Sequence, residues 1–364
     1  MTLGAFLDVA VRSLVTCVAL LSGFGLMTLI ERRLIARFQW RQGPNRVGPG
    51  GILQPAADGL KLLFKEQLMP ADAKPFIFLL APCISLTVAL TSFAVIPLQT
   101  EPWKLGNYEI APYIADLNVG VLFLLGVTSL GVYGIVLGGW ASGNKYSLIG
   151  AIRSSAQMVS YELAMGTALL SPLLMVGSLS FVDIANYQKE HSWLVVPQFL
   201  AFVLFCISAI AETNRAPFDL PEAEQELGAG FHTEYSGMRF ALFFMAEYTA
   251  MFTVSAVATT VFLGGPHMPF LPSSVIWFVA KIAFFMFVYI WLRATLPRFR
   301  YDQLMRIGWQ ALLPIGVLNL VITAVGVVLR WDHTAFGLAI LTMVLGFYLV
   351  GKMNRVKRQE LSHG

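Results

Sequence analysis

Six glutamates and one arginine stand where an apolar chain has no structural reason to put them. Glu162 and Glu247 lie inside long apolar runs, Glu212 closes another, and Glu222, Glu224 and Glu226 follow it in one acidic segment. Counting from the charged end of each run at 1.5 Å per residue puts Glu162 roughly 10 Å and Glu247 roughly 13 Å deep in a bilayer. An ionised carboxylate at that depth costs at least ~2.5 kcal/mol, so these groups must be paired, protonated or next to water. Buried carboxyl groups exchange protons near neutral pH, and as a set the six fit a proton route from one face toward the midplane. Each alone has a plainer reading, because a neutral glutamate can simply hydrogen-bond a neighbouring helix.

The cations are on the same side. Arg32, Arg33, Arg46, Arg215, Arg293, Arg298 and Arg300 cluster there, and none can lose its charge. For most of them the ordinary bias of basic residues toward the cytoplasmic side suffices. Arg215 is the exception, flanked by Glu212 and Asp219 at a membrane boundary. Lys281 interrupts an apolar run by itself and leaves two readings, an ion pair with an acid on another helix or a bound water.

Other chemistries find little support. Cys17, Cys83 and Cys206 lie singly in apolar runs, as small buried thiols usually do, and cannot supply a four-thiolate iron–sulfur site. The five histidines have no paired metal or haem spacing, and no glycine-rich phosphate loop leads into a helix. The chain itself is expected to bind no nucleotide, metal or haem.

The elements that must hold these residues are membrane helices. Of 364 residues 57% are apolar and only 13% charged, which a soluble domain of this size does not reach. Uncharged stretches at 13–30, 75–100, 117–144, 163–182, 191–211, 307–329 and 333–351 each approach or exceed a bilayer span. Two more, roughly 239–263 and 273–295, are each interrupted in mid-run by one charge, Glu247 and Lys281, and the fourth reaches back to include Glu162. The fold class expected is all-α: a single membrane domain over 1–364 of about nine transmembrane helices. Asp8 and Arg12 precede the first run and no small-residue cleavage site follows it, so that run is expected to remain as a helix.

Two of the connections are too long and too charged to be mere links. In the loop 31–75, Glu31-Arg32-Arg33 is expected to end the opening helix, and Gly43-Pro44-Asn45-Arg46-Val47-Gly48-Pro49-Gly50-Gly51 forms a rigid turn. A helix restarts near Pro55, with apolar residues at 52, 53, 56, 60, 63 and 64 and with Asp58, Lys61 and Lys65 on another face. This is an amphipathic helix at the interface, and a simple surface anchor is its plainer reading. In the acidic loop 212–238, Pro221 suits a first helical turn and Glu222 and Glu224 suit its positive dipole end. Anionic headgroups would repel so acidic a loop, which is therefore expected to face protein or a cavity.

Charge sets the expected orientation. The loop 31–75 alone holds eight Lys and Arg, whereas the opposite side holds Arg12, Lys104, Lys189 and Arg330. An external N-terminus and a cytoplasmic C-terminus follow from that bias, and the membrane is expected to be a prokaryotic inner one.

Two loop motifs carry a resemblance. Gly51-Ile52-Leu53-Gln54-Pro55 through Asp58, Lys61, Lys65 and Glu66 resembles the first signature of the complex I subunit 1 family, the quinone-site membrane subunit, and Glu212 to Leu227 resembles the second. Glu31-Arg32-Arg33, Ser160-Tyr161-Glu162, Glu234-Tyr235, Met245-Ala246-Glu247-Tyr248 and Pro297-Arg298-Phe299-Arg300-Tyr301-Asp302 also match, in order along nearly the whole chain. The resemblance implies eight or nine tilted helices that build the lipid-facing entrance and tunnel for quinone in an NADH:quinone oxidoreductase. It also implies partners: peripheral subunits carrying FMN and iron–sulfur clusters, the terminal cluster docking on the long loops, and antiporter-like membrane subunits. It further implies that Arg46, Asp58, Lys61, Lys65, Glu66, Glu212, Arg215, Phe218, Asp219 and Arg298 line or shape the quinone cavity. Glu31, Arg32, Tyr161, Glu162, Glu212, Glu222, Glu224, Glu226, Glu234, Tyr235 and Glu247 are expected along a proton path, and no residue here is assigned as headgroup proton donor. One departure is visible, since some members carry an acid in the third helix where Thr128-Ser129-Leu130 has none. The alternatives are a related subunit of a ferredoxin- or hydrogenase-linked complex and an ion-coupled secondary transporter.

Overall fold

The structure is a computed structural model, and it describes residues 3–105, 108–219, 230–269 and 271–330. Among these, seven helices are long and apolar enough to cross a membrane. In chain order the helices are α1 (Leu3–Phe38), α2 (Gln54–Phe64), α3 (Pro75–Ser92), α4 (Gly120–Ala141), α5 (Lys145–Val176), α6 (Phe181–Glu190), α7 (Phe199–Glu212), α8 (Gly237–Phe262), α9 (Val275–Thr295), α10 (Tyr301–Ile307) and α11 (Leu313–Val328). Two three-residue strands, β1 (Trp103–Leu105) and β2 (Tyr108–Ile110), pair antiparallel between α3 and α4. The expected span 333–351 lies outside the described residues.

Local chemistry sets the helix ends. Asn144 caps α5 by accepting from Tyr146 N, and Ser274 caps α9 by accepting from Ile276 N. Gly177, with φ of 75°, ends α5 in the left-handed conformation that costs glycine nothing. Pro314 removes one helical donor, and just before it the chain takes a single π turn, Gly308–Leu312, that joins α10 to α11.

Two boundaries differ from the expectation. The first helix does not stop at Glu31-Arg32-Arg33 but continues to Phe38, so Glu31 is a buried mid-helix residue rather than a terminal one. The charges do not end the helix because neighbouring elements neutralise them. The span expected at 191–211 is helical only from Phe199, because Pro197 cannot donate to a helix and biases the residue before it away from helical geometry. At 14 residues, α7 is about 21 Å long, shorter than the ~30 Å hydrocarbon core.

Small residues let the helices approach. A methyl group at Gly134 would collide with Ser85 and Ala81 of α3, and one at Gly139 with Ser147 and Ala151 of α5. Gly316 of α11 lies equally tightly against Thr167 of α5. These contacts, with a core around Tyr161, Ala168, Phe205, Met251, Phe262 and Phe278, hold α5, α7 and α8 as the centre of the bundle. Side chains at the bundle periphery, such as Val15, Leu122, Leu163, Ile276 and Phe284, remain exposed on faces that a bilayer would cover.

Candidate functional site: a buried charge cluster and an acidic cavity

The site is built where α1, α8 and α9 meet the segment after α7. Glu31 comes from α1, Glu247 and Tyr248 from α8, Arg293 from the last turn of α9, and Arg215 from the turn that follows α7. Arg215 is 4% exposed; its Nη1 lies 3.3 Å from Glu31 Oε1 and its Nε 2.5 Å from Glu247 Oε1. Arg293 also bonds Glu31 Oε1, and Tyr248 Oη donates to Glu31 Oε2 at 2.5 Å. The Arg215 guanidinium lies 4.2 Å from the Tyr248 ring centroid, a cation over a π face. Two carboxylates and two guanidiniums make a quartet with no net charge, which is what permits this burial.

Beside the quartet lies a partly open cavity of about 120 Å³, bounded by α3, α4, α5, α7 and α8. Glu212, Asp219, His232 and Glu247 line it, with the polar side chains of Ser85, Ser92, Thr128, Asn214 and Thr253. Glu212 is 9% exposed and its Oε2 has no hydrogen-bond partner among the described residues. An unpaired carboxylate oxygen beside a cavity is where water or a proton would be held. Farther into α5, Glu162 accepts a hydrogen bond from Ser129 of α4, so the segment Thr128-Ser129-Leu130, which has no acid of its own, carries the donor to the next acid. Glu247 belongs to both groups and joins the quartet to the cavity.

The NADH dehydrogenase family model matches residues 11–324. The chain is 54% identical over 326 residues to NADH-quinone oxidoreductase subunit 8 of Thermus thermophilus, covering 90% of this chain and 88% of that protein. To the corresponding NADH-quinone oxidoreductase subunit of Deinococcus radiodurans it is 50% identical over 334 residues, 88% of this chain and 83% of that one. To that of Protochlamydia amoebophila it is 54% identical over 303 residues, 82% and 91% respectively. The chain belongs to the subunit 1 family of complex I and is an integral membrane protein.

Residues singled out from the two loop signatures and the shorter motifs fall into three groups. Glu31, Glu212, Arg215, Asp219 and Glu247 form the quartet or line the cavity, and Glu162 bonds Ser129, the neighbour of the lining residue Thr128. Arg215 is held by Glu31 and Glu247 rather than by the acids that flank it in the sequence, because a turn places it between α1 and α8.

A second group secures the surrounding loops. Arg298 lies 3.5 Å from Asp219, and Phe299 N donates to Pro217 O, so the segment after α7 docks on the one before α10. Phe218 packs between Tyr161 and Phe299, and its carbonyl accepts from Gln157 Nε2 at 2.8 Å. Tyr161 donates to Leu304 O at 2.9 Å. Pro82 leaves the Phe78 carbonyl without a helical donor, and Tyr235 supplies one at 3.1 Å while stacking on the Phe78 ring at 4.1 Å. Burial pushes the Tyr235 phenol well above its ordinary range, so it acts as a donor there. Glu234 accepts from Asn144 Nδ2 at 2.7 Å and ties the α5 cap to the same place.

The third group is peripheral. Arg32 pairs with Asp58 at 2.6 Å, fastening α2 to the end of α1, and Gln54 donates to the other Asp58 oxygen. Arg46, Lys61, Lys65 and Glu66 are exposed and stand apart from the quartet. Glu222, Glu224 and Glu226 lie outside the described residues.

Lys281 follows neither sequence reading. Its Nζ donates to Leu263 O, Gly265 O and His267 O at 2.7, 2.8 and 2.7 Å and sits 4.7 Å from the Trp193 ring centroid. Three carbonyls use all three donors, so it clips the α8–α9 connection. Sequence reasoning missed the parts played by Tyr248, Arg293, Ser129 and His232. Tyr248 and Ser129 appeared only inside motifs and Arg293 only as one of several basic residues, and no spacing signal links α1 to α9.

Proposed function

We propose that the chain is the membrane subunit of a proton-pumping NADH:quinone oxidoreductase that builds the quinone entrance and tunnel and couples quinone reduction to proton movement. The observation that carries this reading is the neutral quartet sharing Glu247 with a cavity that also holds Glu212 and Asp219. Negative charge delivered near such a cavity favours proton uptake by its carboxylates. If Glu247 takes that proton, it releases Arg215, which then has Glu31 as its remaining partner. The quartet thereby converts a change of charge into a change of position.

Exposed apolar residues on and beside α2, including Leu60, Leu63 and Phe64, suit a lipid-facing entrance through which quinone would pass as substrate. The three cysteines sit singly on α1, α3 and α7, so the iron–sulfur clusters are assigned to peripheral partner subunits, which the family resemblance also gives the FMN. Peripheral-arm and antiporter-like membrane subunits are the proposed partners. The end bearing Arg32, Arg46, Arg215 and Arg298 is assigned to the cytoplasm of a prokaryotic cell, with the N-terminus outside and the C-terminus inside.

The test compares membranes carrying Glu212→Gln or Arg215→Ala. NADH:quinone activity is expected to fall at least about ten-fold, while NADH oxidation by an artificial acceptor persists. Wild-type quinone activity in both variants would overturn the reading.

A further inference from the structure

His232 is a buried imidazole that the proposed function leaves unused. It closes the one-turn helix Gly230–His232 that leads toward α8 and is 8% exposed. The rings of Phe231, Phe240 and Phe244 meet it edge-on, with centroids 4.9, 5.4 and 6.3 Å away. Its remaining side lines the cavity that also holds Glu212, Asp219 and Glu247.

We propose that His232 is a proton-carrying member of this cavity, exchanging protons with the carboxylates Glu212 and Glu247. The inference rests on the proton-coupling reading and deepens it. Imidazole is the side chain whose ordinary titration falls between pH 5 and 8, so it can change charge where an ordinary carboxylate stays ionised. Acids lining the same cavity come from α7 (Glu212), from the following turn (Asp219) and from α8 (Glu247). Glu247 and Asp219 are in turn engaged by Arg215 and Arg298. Among the described residues, the walls from α3 and α4 contribute only hydroxyl and apolar groups. Nearby, Glu234 is bonded to Asn144, and Arg239 lies over the Phe78 ring. Phe231 and Phe244 line the same cavity beside the imidazole.

The experiment compares His232→Gln, which keeps a polar amide but does not titrate, with wild type in membranes holding the assembled complex. NADH:quinone activity is followed from acid to alkaline pH, with the artificial-acceptor reaction as control and Glu212→Gln measured alongside. The expected result is a loss of at least about ten-fold in quinone activity, a flattened pH dependence near neutrality and an unchanged artificial-acceptor rate. A His232→Gln complex with the wild-type pH profile overturns the proposal. If neither His232→Gln nor His232→Asn assembles, the residue is a packing element and the proposal falls. If Glu212→Gln slows quinone reduction but His232→Gln does not, only the histidine inference fails. If both leave it unchanged, the coupling reading fails with it.

Discussion

Glu31 satisfies three groups at once, so its removal should be the most damaging single change in the quartet. Glu31→Gln would leave Arg215 and the half-buried Arg293 with Glu247 as the one acid of the original pair. Breaking a buried ion pair from one side typically costs about 3–5 kcal/mol. The variant is expected to reduce the amount of assembled complex and its thermal midpoint, read by native gel and thermal denaturation. Lys281 makes a contrasting case, because it lies outside the cavity lining and serves three backbone carbonyls. Lys281→Met should destabilise by about 1–3 kcal/mol while leaving quinone turnover per assembled complex near wild type. A turnover defect without loss of stability would contradict the clip assignment.

Helix approach makes its own prediction. Gly139 has no room for a side chain against Ala151 and Ser147, whereas Gly126 on the same helix has nothing within 4 Å. Gly139→Leu should therefore abolish assembly and Gly126→Ala should be tolerated, which membrane abundance of the two variants would check. The connection between α8 and α9 supplies a pH effect. Burial, with Lys189 and Lys281 nearby, holds His267 below the ordinary histidine range, against a smaller opposing pull from Glu101. A lowered value means that the unfolded connection binds the proton more readily. Its contribution to stability is present above the unfolded value of about 6.5 and is lost as pH falls through the folded one. Hydrogen-exchange protection factors in 263–269, corrected for the intrinsic pH dependence of exchange, should fall on acidification, and His267→Gln should remove that fall.

For the whole molecule, the testable quantity is the way it sits in the membrane. Glu101 and Lys61 are exposed on opposite sides of the proposed topology. Glu101→Cys should react with a membrane-impermeant maleimide in intact cells, and Lys61→Cys only in inverted vesicles. The reverse pattern would invert the orientation and with it the direction assigned to the proton path.

The sequence alone determined that the chain is a bundle of membrane helices, because long apolar runs have no other way to satisfy their backbone in lipid. It marked Glu162, Glu212 and Glu247 as unusual, since a carboxylate in an apolar run has an identifiable cost wherever the helix is later packed. It also located α2, whose apolar spacing is local. Tertiary structure alone decided who answers whom. That Arg215 joins Glu31 and Glu247, that Arg293 reaches the same carboxylate, and that Tyr235 replaces the donor lost at Pro82 all depend on approaches between helices far apart in the chain. Burial costs can be read one residue at a time, but the partner that offsets each cost is chosen by packing.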